Sequence, residues 1–219
     1  MKTLHIIFAS IFLTACSGKQ GSKQSASATP HQDTILKHDT VYINSHNEWQ
    51  EGFGLTHDPE VDSIWFKPVK FYIENARCSP IAVDFYQGQF RPTDNHTTAA
   101  LLKLVTTDDA NLRPFYRWCL HKTIQIQDGA LGEYTGVPAR QYAEKFPKEF
   151  FDYMDADTSL NRYNAWVESI GYSGFYDYEE DNNSASIRQA MAASMKQHCK
   201  GCKTALLQRI DTLVKNCFP

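Results

Sequence analysis

Proline placement limits this chain more than any other feature. The stretch Leu112–Met154, LRPFYRWCLHKTIQIQDGALGEYTGVPARQYAEKFPKEFFDYM, carries three prolines, each standing where a helix would begin. Proline lacks an amide N–H and holds φ at about −65°, so it suits the first turn of a helix and disrupts its interior. Behind Pro114, the residues Phe115, Trp118, Cys119 and Lys122 fall at helical intervals. Pro138 and Pro147 are expected to start two further short helices, the second carrying Phe150, Phe151 and Met154. Consecutive short helices of this kind predict an all-α domain: an irregular helical bundle or a short stack of helix pairs.

The flanking sequence repeats the pattern. Asp58-Pro59-Glu60 reads as cap, first helical residue and first-turn acid, so the domain is expected to span 56–219. Ile64, Trp65 and Phe66 follow, and Pro68 interrupts or restarts that helix. Ser79-Pro80 repeats the cap-plus-proline signature, and Thr93–Thr106 is a further amphipathic candidate. From Ser159 to Ile170 the apolar positions recur at three and four, and Gly171 and Gly174 are expected to end that helix. A loop through Asn183 should follow. Between Ala185 and Cys217 the rhythm continues across Gly201, giving either one long helix or, slightly favoured, a hairpin broken there. With 42% hydrophobic and 13% aromatic residues, a sizeable core is available. The net charge of −3 and the lack of a long basic run argue against nucleic acid as a partner.

The N-terminus bears on location. Lys2 is a minimal positive region, and Ile6 to Leu13 is an apolar run too short to span a bilayer. Leu13-Thr14-Ala15-Cys16 then resembles the lipobox of bacterial lipoproteins. That resemblance implies a signal peptide over 1–15, cleaved before Cys16, and a lipid bilayer as partner through acylated Cys16. Ser17 is unlike the acidic residue that retains such proteins at the inner membrane, so the resemblance implies the outer membrane of the cell envelope. Residues 16–55 are expected to form a tether, small and polar up to Pro30. Thr34-Ile35-Leu36 and Thr40 to Ile43 could form short extended segments.

Export would place the five remaining cysteines in an oxidising space. Cys202 and Cys217 would lie about 22 Å apart on one helix, beyond the reach of a disulfide of about 7 Å. The favoured pairs are Cys199–Cys202 and Cys78–Cys119, with Cys217 left over. The run His198-Cys199-Lys200-Gly201-Cys202-Lys203 lacks the histidine that haem attachment needs after the second cysteine. It also follows a helix, unlike a thioredoxin-type site. On a continuous helix, Met191, Met195, His198 and Cys202 would share one face, a donor set suited to Cu(I). The favoured alternative is a core stripe closed by a disulfide.

No motif calls for a cofactor. The glycine-rich Asp128–Gly136 lacks the ending of a phosphate loop, and its glycines are expected to end helices or allow close packing. His121, Glu133, Tyr134 and Arg140 could converge as acid, base and charge stabiliser, but structural ion pairing is the better expectation. No nucleophile elbow or HExxH motif occurs. Tyr172, Phe175, Tyr176 and Tyr178, beside acids, suit the anchors of a partner interface as well as they suit packing of the loop onto the core. The leading functional expectation is an anchored envelope lipoprotein that binds a protein partner as scaffold, accessory subunit or inhibitor; an envelope metal-binding protein using the Met/His/Cys face is the second reading, and an enzyme with a site near His121, Glu133 and Arg140 the third.

Overall fold

A computed structural model describes residues 63–177 and 184–219. The residues expected to form the signal peptide and the tether, with Cys16, the extended segments expected within the tether, the helix start expected at Asp58-Pro59, and Tyr178, lie outside these residues. The described chain is an all-α bundle with one minimal hairpin, β1 (Ser63–Ile64) paired antiparallel with β2 (Lys67–Pro68).

That hairpin corrects the helix expected through Ile64, Trp65 and Phe66. Its two turn residues are Trp65 and Phe66, at φ 50° and 65°. Tight hairpin turns need left-handed residues at both central positions, a role usually filled by Asn-Gly, and bulky residues there are strained. Tertiary contacts hold them. The Arg117 guanidinium lies over the Trp65 ring at 4.3 Å, and the Tyr72 hydroxyl donates to the Ile64 carbonyl at 2.8 Å. No local sequence signal carries those contacts.

Helix α1 is Lys70–Ile73 and α2 is Pro80–Tyr86, the latter opening at its proline as expected. Asn95 caps α3 (His96–Lys103) by accepting from the Thr98 N–H, and a 3-10 turn, Leu104–Thr106, follows. Helix α4 (Arg113–Ile126) is the centre of the bundle, since every residue from Phe115 to Ile124 is buried. A helix buried all round needs neighbours on every side. Phe115 stacks between Tyr72 (5.4 Å) and Trp118 (6.0 Å), tying α1 and α4 together.

Helix α5 (Gly129–Lys145) corrects the start expected at Pro138, which lies inside it. The true start is Asp128, whose side chain accepts from the Leu131 N–H at 2.9 Å. The glycines of this segment end nothing, and Gly136 permits close packing. A Cβ at Gly136 would come within 2.7 Å of the Ser169 carbonyl and 2.9 Å of the Ser173 nitrogen. Helix α6 (Pro147–Asp155) starts at its proline and buries Phe150, Phe151 and Met154, as expected.

Helix α7 (Asn161–Asp177) runs through Gly171 and Gly174, so those glycines are not stops, and seven residues of the expected loop are helical. They are approach points: a Cβ at Gly171 would meet the Cys217 carbonyl at 2.9 Å, and one at Gly174 the Phe218 ring at 2.9 Å. The last two helices, α8 (Ser184–His198) and α9 (Thr204–Cys217), form the broken hairpin. Gly201 sits at the break with φ +83°, a left-handed conformation that suits glycine. Cys199 and Cys202 are disulfide-bonded across it.

Cys78, Cys119 and Cys217 are buried free thiols, which corrects the expected Cys78–Cys119 bond. The Cys78 thiol faces the Ser79 carbonyl at 3.9 Å. Burial pushes the pKa of both thiols up, that of Cys119 well up, so the thiolate that initiates disulfide formation is disfavoured. No helix among the described residues is long and apolar enough to cross a membrane.

Candidate functional site

The polar chemistry of the domain is concentrated along α4. Its cationic residues are met by different surroundings at each turn. Arg113 forms a two-point ion pair with Glu149 (2.9 and 2.6 Å) and donates to the Thr107 carbonyl at 2.8 Å. One turn on, Arg117 lies between the rings of Trp65 (4.3 Å) and Tyr153 (4.0 Å) and donates to the Tyr142 hydroxyl at 3.0 Å. Cation–π attraction is strongest where water is excluded, and Arg117 is almost fully buried.

A further turn on comes His121. The indole N–H of Trp166 points at His121 Nδ1 at 3.2 Å. An indole nitrogen only donates, so Nδ1 is the acceptor and the ring proton sits on Nε2. Burial pushes the His121 pKa down to about 3, and the neighbouring cations Arg162, Lys122 and Arg117 add to that effect. At neutral pH the ring is therefore uncharged, with its basic nitrogen occupied. It offers a hydrogen-bond donor where acid–base chemistry would need a titrating group.

His121 and Lys122, only 5% and 4% exposed, form the floor of a cavity of about 520 Å³. The loop between α6 and α7 supplies its wall. Asp157 organises that loop: one carboxylate oxygen accepts from the Ser159 hydroxyl (2.6 Å) and N–H (3.0 Å), the other from the Arg162 N–H (2.8 Å). These bonds hold the Asp157 pKa down at about 2, so it is ionised. Arg162 donates to the Tyr153 carbonyl at 2.8 Å and lies over the same ring at 4.1 Å, beside the cavity.

The other side of this loop borders a second cavity, of about 440 Å³, between α6, α7 and α9. Phe151, Met154 and Tyr163 make its wall apolar, and the Arg209–Asp155 pair (2.8 and 2.5 Å) lies at its edge. Leu160 stands at its lip, 59% exposed and left-handed at φ 62°.

The residues singled out in the sequence are distributed differently. His121 belongs to the first cavity, but Glu133 is exposed on α5 and Arg140 pairs with Glu144 on its own helix at 3.0 Å, so neither lines it. Tyr134 is half-buried on α5. The Met/His/Cys face needed a continuous helix, and the break at Gly201 ends it. Met191 and Met195 are core, His198 bonds the Ser194 carbonyl at 3.0 Å, and the Cys202 sulfur is held by Cys199. Among the described residues no three His, Cys, Asp or Glu side chains are grouped as metal ligands. Tyr172 is 43% exposed on α7, Phe175 and Tyr176 are on the same helix, and their side chains lie outside the described set.

Lys122, Asp157, Leu160 and Arg162 escaped sequence reasoning. The available signal was Asp157-Thr158-Ser159, a pattern suited to side-chain-capped turns before a helix. No protein-family model matches the chain, and no curated protein or solved structure matches it.

Proposed function

We propose that this chain is a lipid-anchored cell-envelope protein, held at the outer membrane by acylated Cys16. Its helical domain binds a protein partner as scaffold, accessory subunit or inhibitor. The observation that carries the binding role is Leu160. A large apolar side chain is held out in solvent on a left-handed backbone, beside an apolar cavity. Both features are costly in the isolated domain, and such strain concentrates at functional sites. A partner inserting an apolar side chain beside Leu160 would cover both, with the Arg209–Asp155 pair as polar rim. Tyr172 is a second exposed anchor, on the helix that follows Leu160.

Two experiments test this reading. Replacing Cys16 with Ser should release the protein from the membrane fraction and abolish incorporation of labelled fatty acid, and retention of both would refute the anchor. Capture from envelope extracts with the tagged full chain should recover a defined protein. Leu160→Asp, an exposed and fold-tolerant change, should lose it, and equal recovery by that variant would refute the docking face.

A further inference from the structure

We infer that the Cys199–Cys202 disulfide is a redox-active pair, exchanging electrons with external dithiols and disulfides, and that Cys202 is the sulfur attacked first. This inference is independent of the partner reading, because it uses none of the residues that carry it.

The first argument is how little the bond does for the fold. It joins residues three apart in sequence, and closing so short a loop removes little freedom from the unfolded chain. The hairpin of α8 and α9 has other ties. Gly201 supplies the turn at φ +83°, Lys196 pairs with Asp211 from one helix to the other at 2.5 Å, and Met191, Met195, Ile210 and Leu213 are fully buried in one core. The bond can therefore open without the helices parting.

The second argument is access. Cys202 is half-buried between the exposed Gly201 and Lys203, whereas Cys199 is only 4% exposed. An incoming thiolate can reach one sulfur and is kept from the other. A dithiol so arranged has a nucleophile and a sheltered resolving partner. Cys78, Cys119 and Cys217 are buried thiols that do not compete.

The third argument is charge. The chain from Lys196 to Arg209 carries four Lys and Arg side chains and His198, with no Asp or Glu. Lys196 and Arg209 are engaged in ion pairs, while Lys200 and Lys203, on either side of Cys202, are exposed. The pair follows α8, as the sequence implied, but it also precedes a helix. Helix α9 opens at Thr204, two residues beyond Cys202, and its N-cap Lys203 makes no side-chain hydrogen bond. Cations and a helix start both favour negative charge on a nearby sulfur.

In the reductive direction, the thiolate of an external dithiol attacks Cys202 Sγ. The bond to Cys199 breaks, and Cys199 leaves with the electron pair and is protonated. The second thiolate of the dithiol then attacks its own sulfur in the mixed disulfide and releases Cys202. Two electrons and two protons pass to the protein, and the dithiol becomes a disulfide. An external disulfide reverses each step, with Cys202 attacking and Cys199 resolving.

The test uses the full chain in detergent, treated with dithiothreitol and then with an alkylating reagent under native conditions, the label being mapped by residue. Cys202 should be labelled first and Cys199 after it, with Cys78, Cys119 and Cys217 protected and helical circular dichroism retained. Glutathione disulfide should restore the bond. In folded Cys199→Ala protein, glutathione should accumulate on Cys202; in folded Cys202→Ala protein it should reach Cys199 at least about tenfold more slowly. A bond that resists dithiothreitol in the folded protein would overturn the inference. So would loss of helix on reduction, or equal rates in the two variants.

Discussion

The two ends of helix α7 are built for opposite purposes. Its C-terminal half presents Ser169, Gly171, Ser173 and Gly174, and through them it touches the backbone of α5 and the final residues of the chain at distances that exclude any extra atom. Its N-terminal turn instead opens onto two cavities and carries Asn161, Arg162 and the strained Leu160 at its edge. Small residues give one end close packing, which proteins need for a single rigid arrangement. Charged and exposed residues give the other end chemistry at some cost in stability. A rigid rear half allows the front turn to hold its side chains at fixed positions.

The largest expected effect breaks the receptive end by acid. The folded His121 pKa of about 3 lies below its unfolded value of about 6.5, so the unfolded state binds more protons between these values. Stability should therefore fall as pH drops from about 6.5 towards 3, by up to about 1.4 kcal/mol per unit. Asp157, depressed to about 2, adds loss in the same direction as pH falls below about 4. Urea unfolding at a series of pH values measures this. His121→Gln, which still accepts from Trp166, should flatten the slope above pH 4, and an unchanged slope would show that the histidine does not control it.

Next comes the rigid end. Gly136→Ala should cost about 1–3 kcal/mol, because its methyl would overlap the Ser169 carbonyl and the backbone must move. The same denaturation measurement reads it. A loss within about 0.5 kcal/mol, the usual span of surface changes, would mean that α5 and α7 have room to adjust.

Smaller effects should appear at the front turn, and some should be gains. Leu160→Asn should be neutral or stabilising by several tenths of a kcal/mol, since asparagine tolerates the left-handed region. The same change should weaken partner capture, separating stability from function at one residue. Asn161→Asp places an acid in the first turn of α7 and should add about 0.3–1 kcal/mol.

This contrast also shows where the sequence was readable. Pro80, Pro114 and Pro147 open helices because a missing N–H costs nothing in a first turn. Periodic Phe115, Trp118, Phe150 and Phe151 are core because burial follows the helix face. Gly201 breaks its helix and the cysteines flanking it pair. Gly171 and Gly174 misled, because a glycine looks the same in sequence whether it bends a chain or lets another chain pass close. Pro138 misled for a related reason: Asp128, ten residues earlier, had already capped the helix. The Trp65–Phe66 turn depends on Arg117, about fifty residues away. The cavity joins the end of one helix to the loop before another, and no local pattern in either segment records that meeting.

Trp166 has one more consequence. It is fully buried, within 6.1 Å of the rings of Tyr142, Phe150 and Tyr153, and its indole is one hydrogen bond from the cavity floor. Any change in the His121 hydrogen bond would alter the polarity felt by that indole. The domain thus carries its own optical reporter, and tryptophan emission should follow the state of this hydrogen bond, including its loss in acid, without any attached label.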